Sequence, residues 1–534
     1  MRLSNRAPCM AAEVLTDPLW ERLSHFVAQN IGLHFPPERI TDLQRGLGAA
    51  AEEFGFADHA RCAEWVLSGV LTRPQLHALA SHLTVGETYF FRERRTFEAL
   101  SNVILPDLIS RRRGREQRLR LWSAACCTGE EAYSLAILLQ QLLPDWKDWN
   151  VTILATDINE RFLQKAAAGT YGEWSFRDCT PLFKERHFTR APDGRYQVAA
   201  QIRDWVTFAQ LNLAEDSFPS LSTDTNAMDV ILCRNLLLYF TPAHARKLVE
   251  KLNHALLDQG WLAVSPSEYS QALFSRFVAV NFPGAILYRT DGVMERSARS
   301  RATSLPEPAP AFELPAVPRE PTVAVTADHL QPVVEPAWLP EEPSSPAGLP
   351  QPLAAAEYAF SQGRYGEAVE ALLPAFAGTA IDISTGRLTS EHEPHAFSVL
   401  ARAYANQGNL TQALLWTARW IDSNKVEPTA HYLHAMILQE KGERREARRA
   451  LQSALFLQPD FALAHFALGN VARADGRAAE ANKHFANALR SLRHRSPEEP
   501  LPDSDGMTVG RLVQTINALA GISGRPHHAG GKVE

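Results

Sequence analysis

The stretch Leu119-Arg-Leu-Trp-Ser-Ala-Ala-Cys-Cys-Thr-Gly-Glu-Glu-Ala-Tyr-Ser134 combines a strand, a turn of small residues and the start of a helix. The bulky apolar residues through Trp122 are typical of a buried strand, and the apolar run after Glu130 and Glu131 predicts a helix. α/β proteins bind cofactors at such strand-to-helix turns. The two glutamates favour a ligand with a cationic group over a phosphate. Carboxylates at this position also stabilise a helix through its dipole, so both readings stay open.

Length and composition indicate several domains and exclude some classes of function. A chain of 534 residues is too long for one core, and its net charge of -6 disfavours sequence-independent binding of nucleic acid. No apolar run is long enough to cross a bilayer, and the start of the chain lacks the apolar segment of a signal peptide. We therefore expect a cytoplasmic protein without membrane insertion. The six cysteines show no zinc-ligand spacing, so no metal site is expected.

Proline and a regular period divide the chain after the α/β region. Thirteen of the 34 prolines lie between Pro306 and Pro352, a composition typical of linkers. Beyond them, Gly408, Gly442 and Gly476 recur every 34 residues, which predicts paired helices that resemble tetratricopeptide repeats. The predicted ranges are a helical domain at 11–83, an α/β domain at 84–290 with a small β-subdomain at about 183–208, a linker at 291–352, repeats at 353–495, and a largely disordered tail at 496–534 with a capping helix at 509–519.

Polar residues follow further predicted strands at the ends that a parallel sheet would gather. Val151-Thr-Ile-Leu-Ala-Thr-Asp157 is a buried strand ending in a carboxylate, which either accepts ribose hydroxyls or caps the next helix. Later strands end near Asn212 and at Arg234, and the second is followed by Asn235 and Tyr239. Ligands of open α/β sheets bind outside the carboxyl ends of the strands, so these side chains are predicted to converge on one crevice.

An aromatic motif precedes the first strand. In Thr88-Tyr-Phe-Phe-Arg92-Glu93, the aromatic side chains either form a lid that brings Arg92 to the crevice or pack the helical domain on the sheet. The sequence alone leaves these two alternatives open.

Together these segments resemble the CheR-type chemoreceptor glutamate methyltransferases. The resemblance rests on the aromatic motif, the turn between Trp122 and Ser134, Ala155-Thr-Asp157-Ile, Asn212-Leu213 and Cys233-Arg-Asn235-Leu-Leu-Leu-Tyr239-Phe240, in this order. The repeats extend it to CheR–tetratricopeptide fusions of Wsp-like and Frz-like chemosensory pathways. It implies a doubly wound, Rossmann-like α/β methyltransferase domain with a small β-subdomain, an all-α domain before it and an all-α solenoid of repeats after it.

The resemblance also implies a function. A methyl group would pass from S-adenosylmethionine to glutamate side chains of a methyl-accepting chemotaxis protein, giving glutamate methyl esters and S-adenosylhomocysteine for sensory adaptation. The implied partners are the cytoplasmic domain of a chemoreceptor as substrate and an unidentified protein or peptide at the repeats, with recruitment to membrane receptor arrays and no nucleic acid. The alternative is a catalytically silent scaffold that binds S-adenosylmethionine.

The resemblance assigns roles to particular residues. Glu131 would meet the methionyl ammonium and Asp157 the ribose, while the implied catalytic residues Arg92 and Tyr239 orient the substrate carboxylate. A glutamate side chain has an ordinary pKa of about 4.3, so it is already an anion at neutral pH and needs no general base. The family often has asparagine where this chain has Gly86, so that contact is expected to be lost or to come from the backbone. The implied cofactor-binding residues are Thr88, Arg92, Glu131, Asp157, Asn212, Leu213, Arg234 and Asn235.

Overall fold

The computed structural model describes residues 18–69, 71–290, 351–376, 392–502, 504 and 506–520. The predicted linker at 291–352 lies outside the described residues except for Gln351 and Pro352, which begin a helix. The part of the predicted tail from residue 521 onward also lies outside them. The described residues form an all-α region, an α/β region and a second all-α region.

Amphipathic helices form the amino-terminal region. The side chains of Leu23, Leu43 and Leu47 are fully buried in the core that the helices share. Asp58 accepts a hydrogen bond from Ala60 N and so caps the third helix, because a side-chain oxygen satisfies a free N–H at a helix start. These helices are α1 (Pro18–Ile31), α2 (Ile40–Glu53), α3 (His59–Ser68) and α4 (Arg73–Leu83).

The strands of the α/β region form two sheets. Their ranges are β1 (Arg118–Ala124), β2 (Asn150–Asp157), β3 (Thr170–Tyr171), β4 (Phe188–Arg190), β5 (Tyr196–Val198), β6 (Val206–Gln210), β7 (Met228–Cys233), β8 (Leu256–Ala263), β9 (Phe277–Phe282) and β10 (Ala285–Thr290). The seven-stranded sheet has the order β6-β2-β1-β7-β8-β10-β9, and β10 runs antiparallel to both its neighbours. From β1 the chain proceeds to β2 and β6 on one side and to β7 and β8 on the other. This reversal opens a crevice at the carboxyl ends of β1 and β7, and the predicted Rossmann-like fold is confirmed.

Helices cover both faces of the large sheet. Leu121 points into the core on one face and Trp122 into the core on the other, as expected for a strand buried on both sides. Trp122 Nε1 also donates a hydrogen bond of 2.9 Å to Thr156 Oγ1, which joins β1 to β2. The helices are α5 (Arg94–Ala99), which continues through a π-helical turn (Leu100–Ile104) into α6 (Leu105–Arg112), then α7 (Glu130–Leu142), α8 (Glu160–Ala168), α9 (Pro181–His187), α10 (Ala200–Arg203) and α11 (Pro242–Ala255).

The small sheet has the strand order β3-β5-β4. The predicted range of about 183–208 is wrong at both ends, because the first strand begins at Thr170 and Val206–Gln210 belongs to the large sheet. A strand of two residues has no period of its own, and β3 is defined only by its pairing with β5. The apolar alternation in β6 is that of a strand paired with β2 in the main core.

Helix pairs form the second all-α region. Gly408, Gly442 and Gly476 have φ angles of 73°, 89° and 74°, a left-handed conformation that favours glycine, and each lies between the two helices of a pair. At Gly469 a Cβ atom would lie 2.4 Å from the ring of Phe485, so close helix packing requires a glycine there. The helices are α12 (Gln351–Ser361), α13 (Tyr365–Phe376), α14 (Glu393–Asn406), α15 (Leu410–Ser423), α16 (Pro428–Lys441), α17 (Arg444–Leu457), α18 (Ala462–Ala474) and α19 (Ala478–Leu492).

A further helix, α20 (Val509–Ala520), follows the repeats. It occupies the stretch for which a capping helix is predicted. Val509, Leu512 and Ile516 are buried in the same apolar core as residues of α18 and α19. The helix therefore covers apolar surface at the end of the array, as capping repeats do.

The repeats contact the α/β region at the edge where the parallel strands begin. Glu440, at the end of α16, forms an ion pair with Arg118 at the start of β1, and we name these two residues the basal pair. Their side chains are 3% and 5% exposed. Glu440 also accepts hydrogen bonds from Asn226 Nδ2 at 3.0 Å and, through its backbone oxygen, from Asn150 Nδ2 at 2.7 Å. The contact is thus sealed from solvent and lies at the opposite edge from the crevice.

Candidate active site

A cleft opens at the carboxyl edge of the large sheet, with a volume of about 1030 Å³ when the solvent at its mouth is included. Its walls are the turn after β1, the ends of β2, β6 and β7, and the segment that joins α1 to α2. Every residue to which the sequence assigns a site role lines this cleft, so the predicted convergence is observed, while the individual roles stay predictions. These residues are Thr88, Arg92, Glu131, Asp157, Asn212, Leu213, Arg234, Asn235 and Tyr239.

Left-handed residues shape the turn after β1. Ala125, Cys127 and Gly129 have φ angles of 62°, 51° and 93°. A left-handed conformation is unfavourable for residues other than glycine, and it points the intervening backbone groups in different directions. One result is that Cys127 N donates a hydrogen bond of 2.8 Å to Asp157 Oδ2. The turn is therefore fastened to the end of the neighbouring strand.

Asp157 is a buried carboxylate at the end of β2. Besides the bond from Cys127, its Oδ1 accepts a hydrogen bond of 2.9 Å from Asn159 N. Asn159 itself caps α8, because its side chain accepts hydrogen bonds from Arg161 N and Phe162 N. The capping alternative for Asp157 is therefore wrong. Burial raises the pKa of Asp157 to about 6, and the backbone donors oppose this rise.

Glu131 and Arg234 form an ion pair at the cleft, which we name the cleft pair. Arg234 Nη1 lies 3.0 Å from Glu131 Oε2, and Arg234 Nη2 lies 2.9 Å from Glu93 Oε2. Ser123 Oγ donates a hydrogen bond of 2.6 Å to Glu131 Oε1. Burial raises the pKa of Glu131, and the charge of Arg234 opposes the rise. The side chain of Arg234 is 2% exposed and that of Glu131 is 13% exposed, so the carboxylate is the more accessible partner.

Glu130 differs from its neighbour Glu131. Its carboxylate accepts hydrogen bonds from Thr128 Oγ1 at 2.6 Å and Ser175 Oγ at 2.9 Å. Glu130 does not line the cleft, and it is almost fully buried. Each glutamate therefore fits one of the two alternatives. Glu130 lies at the helix start away from the cleft, and Glu131 faces the cleft.

The aromatic motif places Phe90 and Arg92 in different surroundings. Phe90 is fully buried, with its ring centroid 5.0 Å from those of Phe176 and Phe188, so it packs the small sheet. Arg92 lines the cleft, and its Nη1 donates a hydrogen bond of 2.5 Å to Glu87 O. The motif brings Arg92 to the cleft, and Phe90 packs within the α/β region instead of packing the helical domain on the sheet.

The segment between α1 and α2 was missed by the sequence analysis. Leu33, His34, Phe35 and Arg39 line the cleft. His34 N donates a hydrogen bond of 2.7 Å to Tyr239 O, and the Arg39 guanidinium lies 5.2 Å from the centroid of the Tyr239 ring. This segment meets the residues that follow β7 only in the tertiary structure. The apolar run before two prolines was a weak signal that it is ordered.

Gly86 lies beside the cleft residue Phe162. A Cβ atom at Gly86 would lie 2.6 Å from Phe162 Cζ. An asparagine at this position would therefore require the phenylalanine ring to move.

The described part of the chain holds neither a metal-ligand cluster nor a membrane-spanning helix. No three His, Cys, Asp or Glu side chains in it are grouped so that they could hold an ion. None of its helices is both long and apolar enough to cross a bilayer.

Comparisons with known proteins identify the class. Residues 86–282 match the family model for the CheR methyltransferase, SAM binding domain, and residues 432–500 match that for a tetratricopeptide repeat. With the doubly wound sheet and its carboxylate-lined cleft, these matches define an S-adenosylmethionine-dependent methyltransferase joined to repeats. The sequence is 36% identical to Chemotaxis protein methyltransferase 2 of Vibrio cholerae over 272 residues, which are 50% of this chain and 91% of that protein. The chain belongs to the CheR methyltransferase family.

A second relative resembles more of the chain. The sequence is 28% identical to the Probable biofilm formation methyltransferase WspC of Pseudomonas aeruginosa over 424 residues, 79% of this chain and 87% of that protein. A match of this length extends past the α/β region into the repeats. Among solved structures, the crystal structure of MamA is similar over 27% of this chain and 77% of that chain, with 22% identity and a TM-score of 0.23. The predicted Wsp-like fusion of a CheR methyltransferase with tetratricopeptide repeats is confirmed.

Proposed function

We propose that this methyltransferase esterifies glutamate side chains of a chemoreceptor, with S-adenosylmethionine as methyl donor. The observation that carries the proposal is the cleft at the switch point of the sheet, where Glu131, Asp157, Arg92 and Tyr239 line one space. The names of the relatives, which are chemotaxis methyltransferases, support the choice of a chemoreceptor as substrate.

The donor and acceptor groups of the cleft suit S-adenosylmethionine. Glu131 offers a carboxylate for the methionyl ammonium, and Asp157 offers one for the ribose hydroxyls. Asn212 and Leu213 line the same cleft beyond the end of β6, and Thr88 and Asn235 complete the proposed set. When bound, S-adenosylmethionine supplies a methyl group on a cationic sulfonium.

The protein's own contribution to the reaction is orientation and desolvation. A substrate glutamate is already ionised at neutral pH, so no residue has to remove a proton. Arg92 uses one nitrogen on Glu87 O, and a guanidinium has five N–H donors, so others remain for the substrate carboxylate. Tyr239 lines the same cleft. Well-oriented reactants alone lower a barrier by about 7 to 11 kcal/mol.

We further propose that the parts of the chain divide this work. The amino-terminal helices and the small sheet would contact the receptor's cytoplasmic domain, and the repeats would bind another protein or peptide. The protein would act in the cytoplasm at membrane receptor arrays. This assignment of roles follows the predicted domain ranges.

The direct test is transfer of radiolabel from S-adenosylmethionine to cytoplasmic fragments of candidate receptors. We expect label on the fragment that mild alkali releases as methanol, because methyl esters are base-labile. Asp157→Asn serves as the matched inactive variant. Base-stable label would contradict ester formation. A protein that binds S-adenosylhomocysteine but labels no receptor fragment would favour the alternative of a catalytically silent scaffold.

A further inference from the structure

The carboxy-terminal helix reaches the underside of the cofactor cleft. Arg511, in the first turn of α20, is 5% exposed, and its Nε lies 3.7 Å from Asp216 Oδ2. The other carboxylate oxygen, Asp216 Oδ1, lies 3.4 Å from Nη2 of Arg73 in α4. The segment before α20 follows the same loop, since Ser222 Oγ donates a hydrogen bond of 3.2 Å to Ser504 O. Residues of α20 and of the segment before it therefore surround Asp216.

Asp216 closes the turn that carries Asn212. Its Oδ2 accepts a hydrogen bond of 2.7 Å from Asn212 N, and its own N–H donates one of 2.8 Å to Asn212 O. The Asn212 side chain is fixed as well, because its Nδ2 donates to Asn30 O at 2.8 Å and its Oδ1 accepts from Ala214 N at 3.1 Å. The Asp216 carboxylate therefore holds the backbone of Asn212, while Asn30 and Ala214 hold its side chain.

Cations from several elements face Asp216. Besides Arg73 and Arg511, Lys251 of α11 donates a hydrogen bond of 3.1 Å from Nζ to Asp216 O. His77 of α4 lies in the same cluster, but burial lowers its pKa to about 4, so it is neutral at neutral pH. A carboxylate that is only 9% exposed is costly to bury without such partners.

We propose that Arg511 is a positioning residue for the cofactor cleft, acting through Asp216 on the turn that carries Asn212. The repeat array then contributes to cofactor affinity through its terminal helix, independently of any partner that it binds. This inference rests on the proposed use of the Asn212 turn for S-adenosylmethionine. Because Arg73 remains on Asp216 when Arg511 is removed, the expected effect is a partial loss of affinity.

Calorimetric titration of S-adenosylhomocysteine into the full chain tests the proposal. We expect Arg511→Met to weaken binding about tenfold, the size of coupling typical of groups in one charged network. Arg511→Lys, which keeps the charge, is expected to restore most of the affinity. Arg448→Met is the matched control, because Arg448 pairs with Glu480 within the repeats and has no part in the cleft. The melting temperature of each variant separates a change in binding from a change in folding.

A double-mutant cycle identifies the route. In an Asp216→Asn background, Arg511→Met is expected to have no further effect, because the carboxylate through which it acts is gone. Equal affinities of the wild type and a folded Arg511→Met would overturn the proposal, and so would a full additional loss in the Asp216→Asn background. If Arg511→Met does not fold, Arg511→Gln removes the charge with less loss of packing and gives the same comparison. A wild-type protein that binds no S-adenosylhomocysteine would instead contradict the proposed function.

Discussion

Two buried arginine–glutamate pairs lie at opposite edges of the same sheet. In the basal pair, Arg118 and Glu440 are both nearly inaccessible and Glu440 also binds Asn226, whereas in the cleft pair the carboxylate of Glu131 keeps access to the cleft. A buried ion pair often loses in desolvation about as much as it gains in attraction, so its presence alone says little about its role. The role of each pair is inferred from its surroundings. The basal pair is closed to solvent and joins the repeats to the α/β region, whereas the carboxylate of the cleft pair is available to a ligand.

The largest expected effect on methyl transfer comes from a change in the cleft pair. Glu131→Gln keeps the shape of the side chain but removes the charge proposed to meet the methionyl ammonium. We expect kcat/KM for methyl transfer to fall about 1000-fold, which corresponds to about 4 kcal/mol for the loss of one partner of a buried charged contact. Label transfer measures the rate, and titration of S-adenosylhomocysteine measures the affinity. Unchanged affinity would place the ammonium elsewhere.

A change in the basal pair is expected to lower the free energy of unfolding instead. Glu440→Ala leaves the buried Arg118 guanidinium with only the exposed carboxylate of Glu116, 3.6 Å from its Nε, and we expect the free energy of unfolding to fall by about 3 kcal/mol. Glu443→Ala is the matched control, because Glu443 forms an exposed pair with Lys441, and such pairs contribute less than about 1 kcal/mol. Urea unfolding gives both values. If Glu440→Ala is no less stable than the control, the basal pair does not hold the repeats in place.

Replacing Arg92 of the cleft and Arg118 of the basal pair by lysine compares an arginine that lines the cleft with a buried one. Arg92→Lys keeps the charge but loses the forked donors that orient a carboxylate, so we expect kcat to fall about 30-fold. The affinity for S-adenosylhomocysteine should change less than about threefold. Arg118→Lys, in the basal pair, should lower the melting temperature and leave kcat of the folded protein unchanged. An equal loss of cofactor affinity and kcat in Arg92→Lys would assign Arg92 to the cofactor alone.

The smallest expected effect is a pH dependence that belongs to the cleft. The pKa of Asp157 is raised to about 6 by burial, and in the proposed contact ribose hydroxyls would donate to its ionised form. Binding of S-adenosylhomocysteine should therefore be strongest above pH 6 and weaken as the pH falls through 6, by about tenfold at pH 5. Asp157→Asn should bind weakly at every pH. A flat profile for the wild type would contradict the ribose contact.

The residues at the strand ends of the site could be predicted from the sequence, whereas the contacts between regions of the chain could not. Glu131 and Arg234 follow strands and Asp157 ends one, each with a clear local pattern, and a parallel sheet brings strand ends together whatever the details of packing. The cleft wall around Arg39 and the basal pair have no such signal. Arg118 and Glu440 are 322 residues apart, and nothing in either local sequence indicates the other. Contacts between distant polar side chains depend on how whole regions dock, which periodicity does not encode.

The most direct test of the difference between the two pairs is a crystal structure of the full chain with S-adenosylhomocysteine. The account predicts that Glu131 accepts a hydrogen bond of about 2.8 Å from the ligand's ammonium while still paired with Arg234, and that Asp157 accepts from the ribose. The basal pair should be unchanged. A ligand bound in the cleft with its ammonium away from Glu131, or bound outside the cleft, would contradict the account.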